Sequence, residues 1–121
     1  YIKKNKNKTF IILDAGMNDL MRPALYDAQH EIMPIRKSNK KMIGKIEFVG
    51  PICESTDKFL TQKNFSKLNE GDYIAITNVG AYGMSLASNY NARPIIAEIL
   101  VSGSKYKIIK KRQSLENLIN N

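Results

Sequence analysis

An arginine and a tyrosine one helical turn apart are the first residues of this sequence that could do chemistry. Arg22 and Tyr26 lie four positions apart in NDLMRPALYDA, where Pro23 suits the first turn of a helix. On such a helix both side chains can face one anionic group, because the guanidinium can hold a carboxylate through two hydrogen bonds and the phenol can add another. A surface arginine packed against a tyrosine has the same spacing, and the spacing alone favours that simpler interpretation.

A cysteine and a glutamate form a second candidate cluster. Cys53 and Glu54 are adjacent and follow a Gly50-Pro51 turn. In such a position a thiol could serve as an acid or a nucleophile, and a carboxylate could hold a cation. A lone cysteine is also a common small residue of hydrophobic cores, which is the alternative.

The third candidate is a tyrosine in a glycine-rich turn. Tyr82 lies in GAYG, between Gly80 and Gly83, where the backbone can take conformations that other residues avoid. Its hydroxyl could contact a phosphate or a carbonyl group. The alternative is an aromatic ring that plugs the edge of the core.

Several other chemistries are not supported by the sequence. His30 is the only histidine and has no nearby histidine or cysteine, so a metal site is not predicted. Its acidic neighbours Asp27 and Glu31 favour a solvated turn. GAYG lacks the second half of a dinucleotide-binding pattern, and no serine is marked as an activated nucleophile.

Short strands and turns must position these groups. Apolar and alternating patterns predict strands over residues 9–14, 30–35, 42–50 and 73–80, within 93–103 and within 106–111. GPICESTD (50–57) predicts a loop, and the polar stretch after it ends in a tight turn at Glu70-Gly71-Asp72. Short helices are predicted around Arg22 with Asn18 or Asp19 as the cap, after GAYG, and over SLENLIN with Ser114 as the cap.

The length and composition place these elements in one domain over residues 1–121. With 121 residues, 43% apolar and 25% charged, the chain can form a single globular core. Five or six strands with short helices predict a mainly β fold, a small β-barrel or sandwich. No apolar run reaches the roughly 20 residues of a membrane span, and the N-terminus resembles no signal peptide. A single cysteine predicts a reducing, cytoplasmic setting.

The net charge of +8 raises nucleic-acid binding as an alternative function. Three short runs, residues 1–8, 36–45 and 105–112, carry 14 of the 19 basic residues and no acid, whereas the remaining chain has 5 basic and 11 acidic residues. Lysines in such runs fit exposed loops and strand edges, where they discourage edge pairing. Because aromatic residues are not interleaved as base stacking requires, we expect no nucleic-acid partner.

Three blocks of the sequence together resemble the C-terminal domain of the diaminopimelate decarboxylase family. The blocks occur in the family's order and cover residues 9 to about 120: DAGMNDLMRPALYDAQHEI, VGPICESTD and GDYIAITNVGAYGMSLASNYNARP. These enzymes have the alanine racemase fold (fold type III) and use pyridoxal phosphate. The resemblance implies that the cofactor lysine, the glycine-rich phosphate loop and the ring-stacking histidine belong to an N-terminal α/β barrel that this chain lacks. Ala28 and Gln29 depart from the pattern, which commonly has an aromatic residue here.

The resemblance also implies roles for the three clusters. Arg22 and Tyr26 would bind the substrate carboxylate at the non-reacting end, and Glu54 would hold the amino group there. Tyr82 would contact both cofactor and substrate, and Cys53 would donate the proton after carbon dioxide departs. Cys-Glu at this place favours diaminopimelate, since the related ornithine decarboxylases have Cys-Asp.

The expected assembly is a homodimer in which the Cys-Glu loop reaches the neighbouring subunit's site. On this interpretation the chain is part of a longer enzyme that makes lysine from diaminopimelate. The alternative is a free-standing basic β-barrel that binds nucleic acid.

Overall fold

The strands of the computed structural model, which describes residues 1–120, form three separate sheets. The first has four strands in the order β1-β2-β4-β5, and the other two are the antiparallel pairs β3-β6 and β7-β8. The strands are β1 (Ile2–Lys4), β2 (Lys8–Ile12), β3 (Ile32–Pro34), β4 (Lys41–Val49), β5 (Lys58–Ser66), β6 (Ile74–Ile76), β7 (Glu98–Ser102) and β8 (Lys105–Lys110).

The parallel pairing of β2 with β4 organises the core. Its register places Ile11 opposite Phe48 and Thr9 opposite Ile46, while β4 pairs antiparallel with β5 on its other side. Phe48 is fully buried and packs edge-on against Phe65, with ring centroids 5.0 Å apart. The buried core also includes Leu20, Ile32, Phe59 and Leu68.

The helices are short, and the first carries the arginine and tyrosine. They are α1 (Arg22–Tyr26), α2 (Gly83–Leu86) and α3 (Leu115–Ile119), with one 3-10 turn at Tyr90–Ala92. Pro23 lies in the first turn of α1, and the helix ends where Asp27 takes a left-handed φ of 51°. The Ser114 cap is confirmed, because its hydroxyl accepts a hydrogen bond from the Asn117 amide at 3.1 Å.

The cap predicted for α1 is wrong. The residue before the helix is Met21, and no side chain caps it. Asp19 instead accepts a hydrogen bond from the Gly16 amide at 2.9 Å, inside the turn that precedes the helix. The asparagine and aspartate therefore shape the approach to α1 rather than its first turn.

The mainly β fold with short helices is confirmed, whereas the barrel or sandwich detail is not. Within residues 1–120, no strand pairing joins the three sheets into a closed barrel. Strand β5 was missed because Lys58–Ser66 has few apolar residues, although Phe59 and Phe65 point into the core. The run over 73–80 contributes only the three residues of β6.

The solvated turn predicted at His30 is also wrong. His30 is 6% exposed, and its Nδ1 lies 3.1 Å from the carbonyl oxygen of Thr77. The Thr77 amide donates in turn to the carbonyl oxygen of Glu31 at 2.9 Å. Pairing of β3 with β6 draws the histidine into the interior, an effect that its acidic sequence neighbours do not indicate.

None of the helices in residues 1–120 has the length and apolar character that crossing a membrane requires.

Two lysines hold a buried glutamate on the four-stranded sheet. The carboxylate of Glu47 lies 2.9 Å from Lys8 Nζ and 3.3 Å from Lys45 Nζ. Burial disfavours its charged form, but the hydrogen bonds and positive charges of the lysines outweigh that effect and lower the pKa of Glu47 below its usual value. The ionised group therefore stabilises the fold at neutral pH, and this contribution is lost as the pH falls through the lowered pKa.

We expect Glu47→Gln to lower the free energy of unfolding by about 1 to 2 kcal/mol near neutral pH, since one partner of a buried pair is removed. The loss should shrink below the ordinary carboxyl pKa of 4.5, because the wild-type group then takes up a proton too. Urea unfolding of the intact protein at a series of pH values measures it, with the more exposed Glu98→Gln as control. A difference that does not change with pH would contradict the expectation.

Candidate functional site

Helix α1 presents two hydrogen-bond donors from its two ends. Arg22 is half-buried at its start and Tyr26 is 65% exposed at its end, one turn away. Within residues 1–120, neither the guanidinium nor the phenol has a hydrogen-bonding or ion-pair partner. Both groups are therefore free to form a hydrogen bond with a ligand.

Cys53 and Glu54 lie on the loop that joins β4 to β5, here called the Cys-Glu loop (residues 50–57). Cys53 is exposed and forms no disulfide, so the alternative of a core cysteine is wrong. The amide of Glu54 donates to the carbonyl oxygen of Ile52 at 2.8 Å, and the carbonyl oxygen of Glu54 accepts from the Asp57 amide at 3.1 Å. These two bonds fold the loop into a tight turn in which the side chains of Cys53 and Glu54 are exposed.

Asp57 fixes this loop against the chain that leads to α1. Asp57 is 3% exposed. Its carboxylate accepts hydrogen bonds from the amides of Ile52 and Met17, each at 2.7 Å. Its carbonyl oxygen accepts from the Gly50 amide at 2.9 Å. A Cβ atom on Gly50 would overlap the Asp57 carboxylate, so the position requires glycine.

The parallel strands bring α1 and the Cys-Glu loop to the same edge of the sheet. Ile12 at the end of β2 is in register with Val49 at the end of β4, and the Leu13 amide donates to the Val49 carbonyl oxygen at 2.8 Å. Between α1 and the loop lies an open groove of about 530 Å³, whose lining includes Ala24 and Thr56. The groove lies between the two elements, although Arg22, Tyr26, Cys53 and Glu54 themselves are not among its lining residues.

Tyr82 lies on the third segment and is 72% exposed, so it does not plug the core. It has a left-handed φ of 60°, and its carbonyl oxygen accepts from the Ser85 hydroxyl at 3.1 Å. Within the described residues, no hydrogen bond joins its phenol to Arg22, Cys53 or Glu54. The structure therefore leaves Tyr82 available for a contact but does not bring it together with the other two clusters.

Sequence reasoning missed Tyr90, whose hydroxyl donates a hydrogen bond to the carboxylate of Glu54. This bond and the adjacent negative charge raise the pKa of the Tyr90 phenol, because they disfavour the phenolate. The segment that carries it is fixed by a bond from the Ser88 amide to the Asn18 carbonyl oxygen at 2.9 Å. No spacing signal links positions 54 and 90, so only the fold reveals the pair.

Arg93 extends the same connection. Its guanidinium donates to the carbonyl oxygen of Asp14 and lies 3.8 Å from the carboxylate of Asp19. The turn before α1, the Cys-Glu loop and residues 88–93 are thus joined by hydrogen bonds. Among residues 1–120, no cluster of three or more histidine, cysteine, aspartate or glutamate side chains could hold a metal ion.

The β fold and this clustering fit one class of enzyme domain. The family model described as "Pyridoxal-dependent decarboxylase, C-terminal sheet domain" matches residues 1–80. The chain belongs to this family of pyridoxal-dependent decarboxylases, as its C-terminal sheet domain.

The similar proteins reported below share one enzyme name, diaminopimelate decarboxylase. Diaminopimelate decarboxylase of Helicobacter pylori is 49% identical over 118 residues, and that of Zymomonas mobilis is 48% identical over 118 residues; each match covers 98% of this chain. Crystal structures of diaminopimelate decarboxylase from M. jannaschii and, complexed with L-lysine, from H. pylori superpose with TM-scores of 0.91 and 0.89 over 99% of this chain, at 40% and 48% identity.

The chain spans less than a third of the length of these relatives. It covers 29% of the H. pylori protein, 28% of the Z. mobilis protein and 27% of the M. jannaschii chain. The match therefore concerns one domain of a larger enzyme in each relative.

We expect Gly50→Ala to destabilise the Cys-Glu loop, because the added methyl group displaces the Asp57 carboxylate. The expected cost is about 1 to 3 kcal/mol of unfolding free energy, with faster amide hydrogen exchange at Met17 and Ile52. Gly80→Ala is the matched control, since a Cβ atom there meets nothing within 4 Å and φ is not positive. Equal stability and exchange in the two variants would contradict the assignment of Asp57.

Proposed function

We propose that this chain is the C-terminal β-domain of a decarboxylase that converts meso-2,6-diaminopimelate to L-lysine and carbon dioxide. The observation that carries the proposal is that one domain presents a pair of free donors on α1 and an exposed carboxylate on the Cys-Glu loop, both beyond the same edge of the sheet. The relatives named above support the choice of substrate.

The distal end of diaminopimelate is a zwitterion, and the two clusters match its charges. Arg22 and Tyr26 bind the distal carboxylate through charge-assisted hydrogen bonds. Glu54 accepts hydrogen bonds from the distal ammonium group. A substrate that lacks one of these two charged groups would leave its protein partner unpaired. This cost is a strong basis for discrimination between diaminopimelate and such analogues.

Tyr82 is the residue of this chain that fits a contact with pyridoxal phosphate. Its phenol is exposed, and a left-handed backbone in a glycine-rich turn holds it outward. When bound, the cofactor supplies the electron sink for decarboxylation. We place its lysine, its phosphate loop and its stacking histidine in an N-terminal α/β barrel, which is the proposed partner of this domain.

Cys53 is the proposed proton donor. Its exposed thiol holds a proton on Sγ and delivers it to the substrate carbon from which carbon dioxide has left. The tight turn of the Cys-Glu loop directs the thiol and the Glu54 carboxylate away from the core. We propose a homodimer in which this loop projects into the neighbouring subunit's site.

The proposed enzyme also accounts for apolar surface on the third sheet. Apolar side chains of the β7-β8 hairpin are exposed, among them Leu100, Val101 and Ile109. Exposed apolar patches of this kind mark contact surfaces. We propose that these strands contribute to a larger barrel or sandwich with strands from the rest of the enzyme, and that the enzyme works in the cytoplasm, consistent with its one free cysteine.

Arg22→Ala is expected to lower kcat/KM for diaminopimelate roughly 100-fold, because the distal carboxylate loses its charged partner. Absorbance of bound pyridoxal phosphate should be unchanged. Carbon dioxide release by the intact holoenzyme measures the effect, and Arg112→Ala, which removes an exposed arginine, is the control. If Arg22→Ala had the kcat/KM of the wild type, the proposed contact between Arg22 and the substrate would be wrong.

Cys53→Ser is expected to lower kcat about 100-fold or more while KM changes less than about two-fold, because a hydroxyl is a poor proton donor at neutral pH. Steady-state lysine formation by the holoenzyme separates the two constants. A rise in KM at constant kcat would assign Cys53 to binding instead.

A further inference from the structure

Tyr90 is the one side chain of residues 1–120 that holds the carboxylate of Glu54. The Tyr90 hydroxyl donates to Oε1 of Glu54, whereas the remaining bonds of Glu54 are main-chain bonds within the Cys-Glu loop. Glu54 is otherwise exposed to solvent. An unrestrained glutamate on such a loop would sample several rotamers, and the phenol selects among them.

The segment that carries Tyr90 is fixed independently of Glu54. The Tyr90 amide donates to the Ser88 hydroxyl at 3.3 Å. The side-chain amide of the neighbouring Asn89 donates to the Arg93 carbonyl oxygen at 2.8 Å and to Gln113 Oε1 at 2.6 Å. The main chain that carries the phenol is therefore fixed by these hydrogen bonds, so the phenol can orient the Glu54 carboxylate.

We propose that Tyr90 is a positioning residue that occupies Oε1 of Glu54 and thereby presents Oε2 to the distal ammonium group of the substrate. This inference rests on the proposed function. Because one carboxylate oxygen is taken by the phenol, the other is left as the acceptor in a defined direction. Preorganised in this way, Glu54 loses less conformational entropy when the ammonium group binds.

The chemistry of the pair is compatible with this role. A phenol donates one hydrogen bond and carries no charge, so the full negative charge of Glu54 remains for the ammonium group. The raised pKa of Tyr90 keeps the phenol protonated at neutral pH, and Glu54 is the charged group that faces it. A lysine or arginine in this place would instead compete with the substrate.

Tyr90→Phe tests the inference, because it removes the hydroxyl and keeps the ring. With diaminopimelate, we expect kcat/KM to fall about 10-fold, mainly through a higher KM. With 2-aminopimelate, which lacks the distal amino group, we expect a change of less than about two-fold. If Tyr90 had a merely structural role, the substitution would lower kcat/KM for both substrates alike.

Two further variants complete the experiment. Tyr106→Phe removes the hydroxyl of an exposed tyrosine on β8 and should leave kcat/KM for both substrates unchanged. In the Glu54→Gln background, Tyr90→Phe should have little additional effect on selectivity between the two substrates, since the charge that it orients is gone. Titration of the tyrosine ring carbons by NMR should show that Glu54→Gln lowers the pKa of Tyr90.

The outcomes separate this inference from the proposed function. Wild-type holoenzyme without decarboxylase activity on diaminopimelate would overturn the proposed function, and the substrate role of Tyr90 with it. Active wild-type enzyme combined with an equal loss on both substrates in Tyr90→Phe, or with a Tyr90 pKa that Glu54→Gln does not change, would overturn the inference about Tyr90 alone.

Discussion

The buried carboxylate of Asp57 is the constraint on which the arrangement of the candidate site depends. It accepts main-chain hydrogen bonds from Met17 and Ile52, and within residues 1–120 no basic side chain pairs with it. Main-chain dipoles therefore compensate its charge, which demands that both donors stay in place. This single group fixes the chain before α1 relative to the Cys-Glu loop, and the absence of a side chain at Gly50 provides its space.

The parallel pairing of β2 with β4 explains why these two segments are neighbours. Parallel strands end at the same edge of a sheet, so whatever follows β2 lies beside whatever follows β4. The chain after β2 leads into α1 with Arg22, and the chain after β4 is the Cys-Glu loop. The segments that carry Arg22 and Glu54, about 30 positions apart in sequence, thus leave the sheet at the same edge because of one strand pair.

Much of the local structure could be predicted from the sequence, and the reasons for the failures are physical. Pro23 and the Ser114 hydroxyl act locally, so α1 and the cap of α3 were predicted correctly. Strand β5 and the burial of His30 depend on pairing with distant strands, which residue type does not encode. The candidate groups were identified from type and family resemblance, whereas their connections through Asp57 and Tyr90 required the fold.

These connections tie α1 and the Cys-Glu loop of one subunit to the same stretch of chain. Residues 14–19 lead directly into α1, and Asp14, Asn18 and Asp19 also bind the segment that carries Tyr90. Tyr90 in turn holds Glu54, while Asp57 ties the Cys-Glu loop to Met17 in the same stretch. A shift of this stretch would therefore move Arg22 and Tyr26, proposed for one active site, together with Glu54, proposed for the neighbouring subunit's site. In the proposed homodimer, this stretch therefore couples the carboxylate-binding pair of one active site to the ammonium-binding group of the neighbouring site.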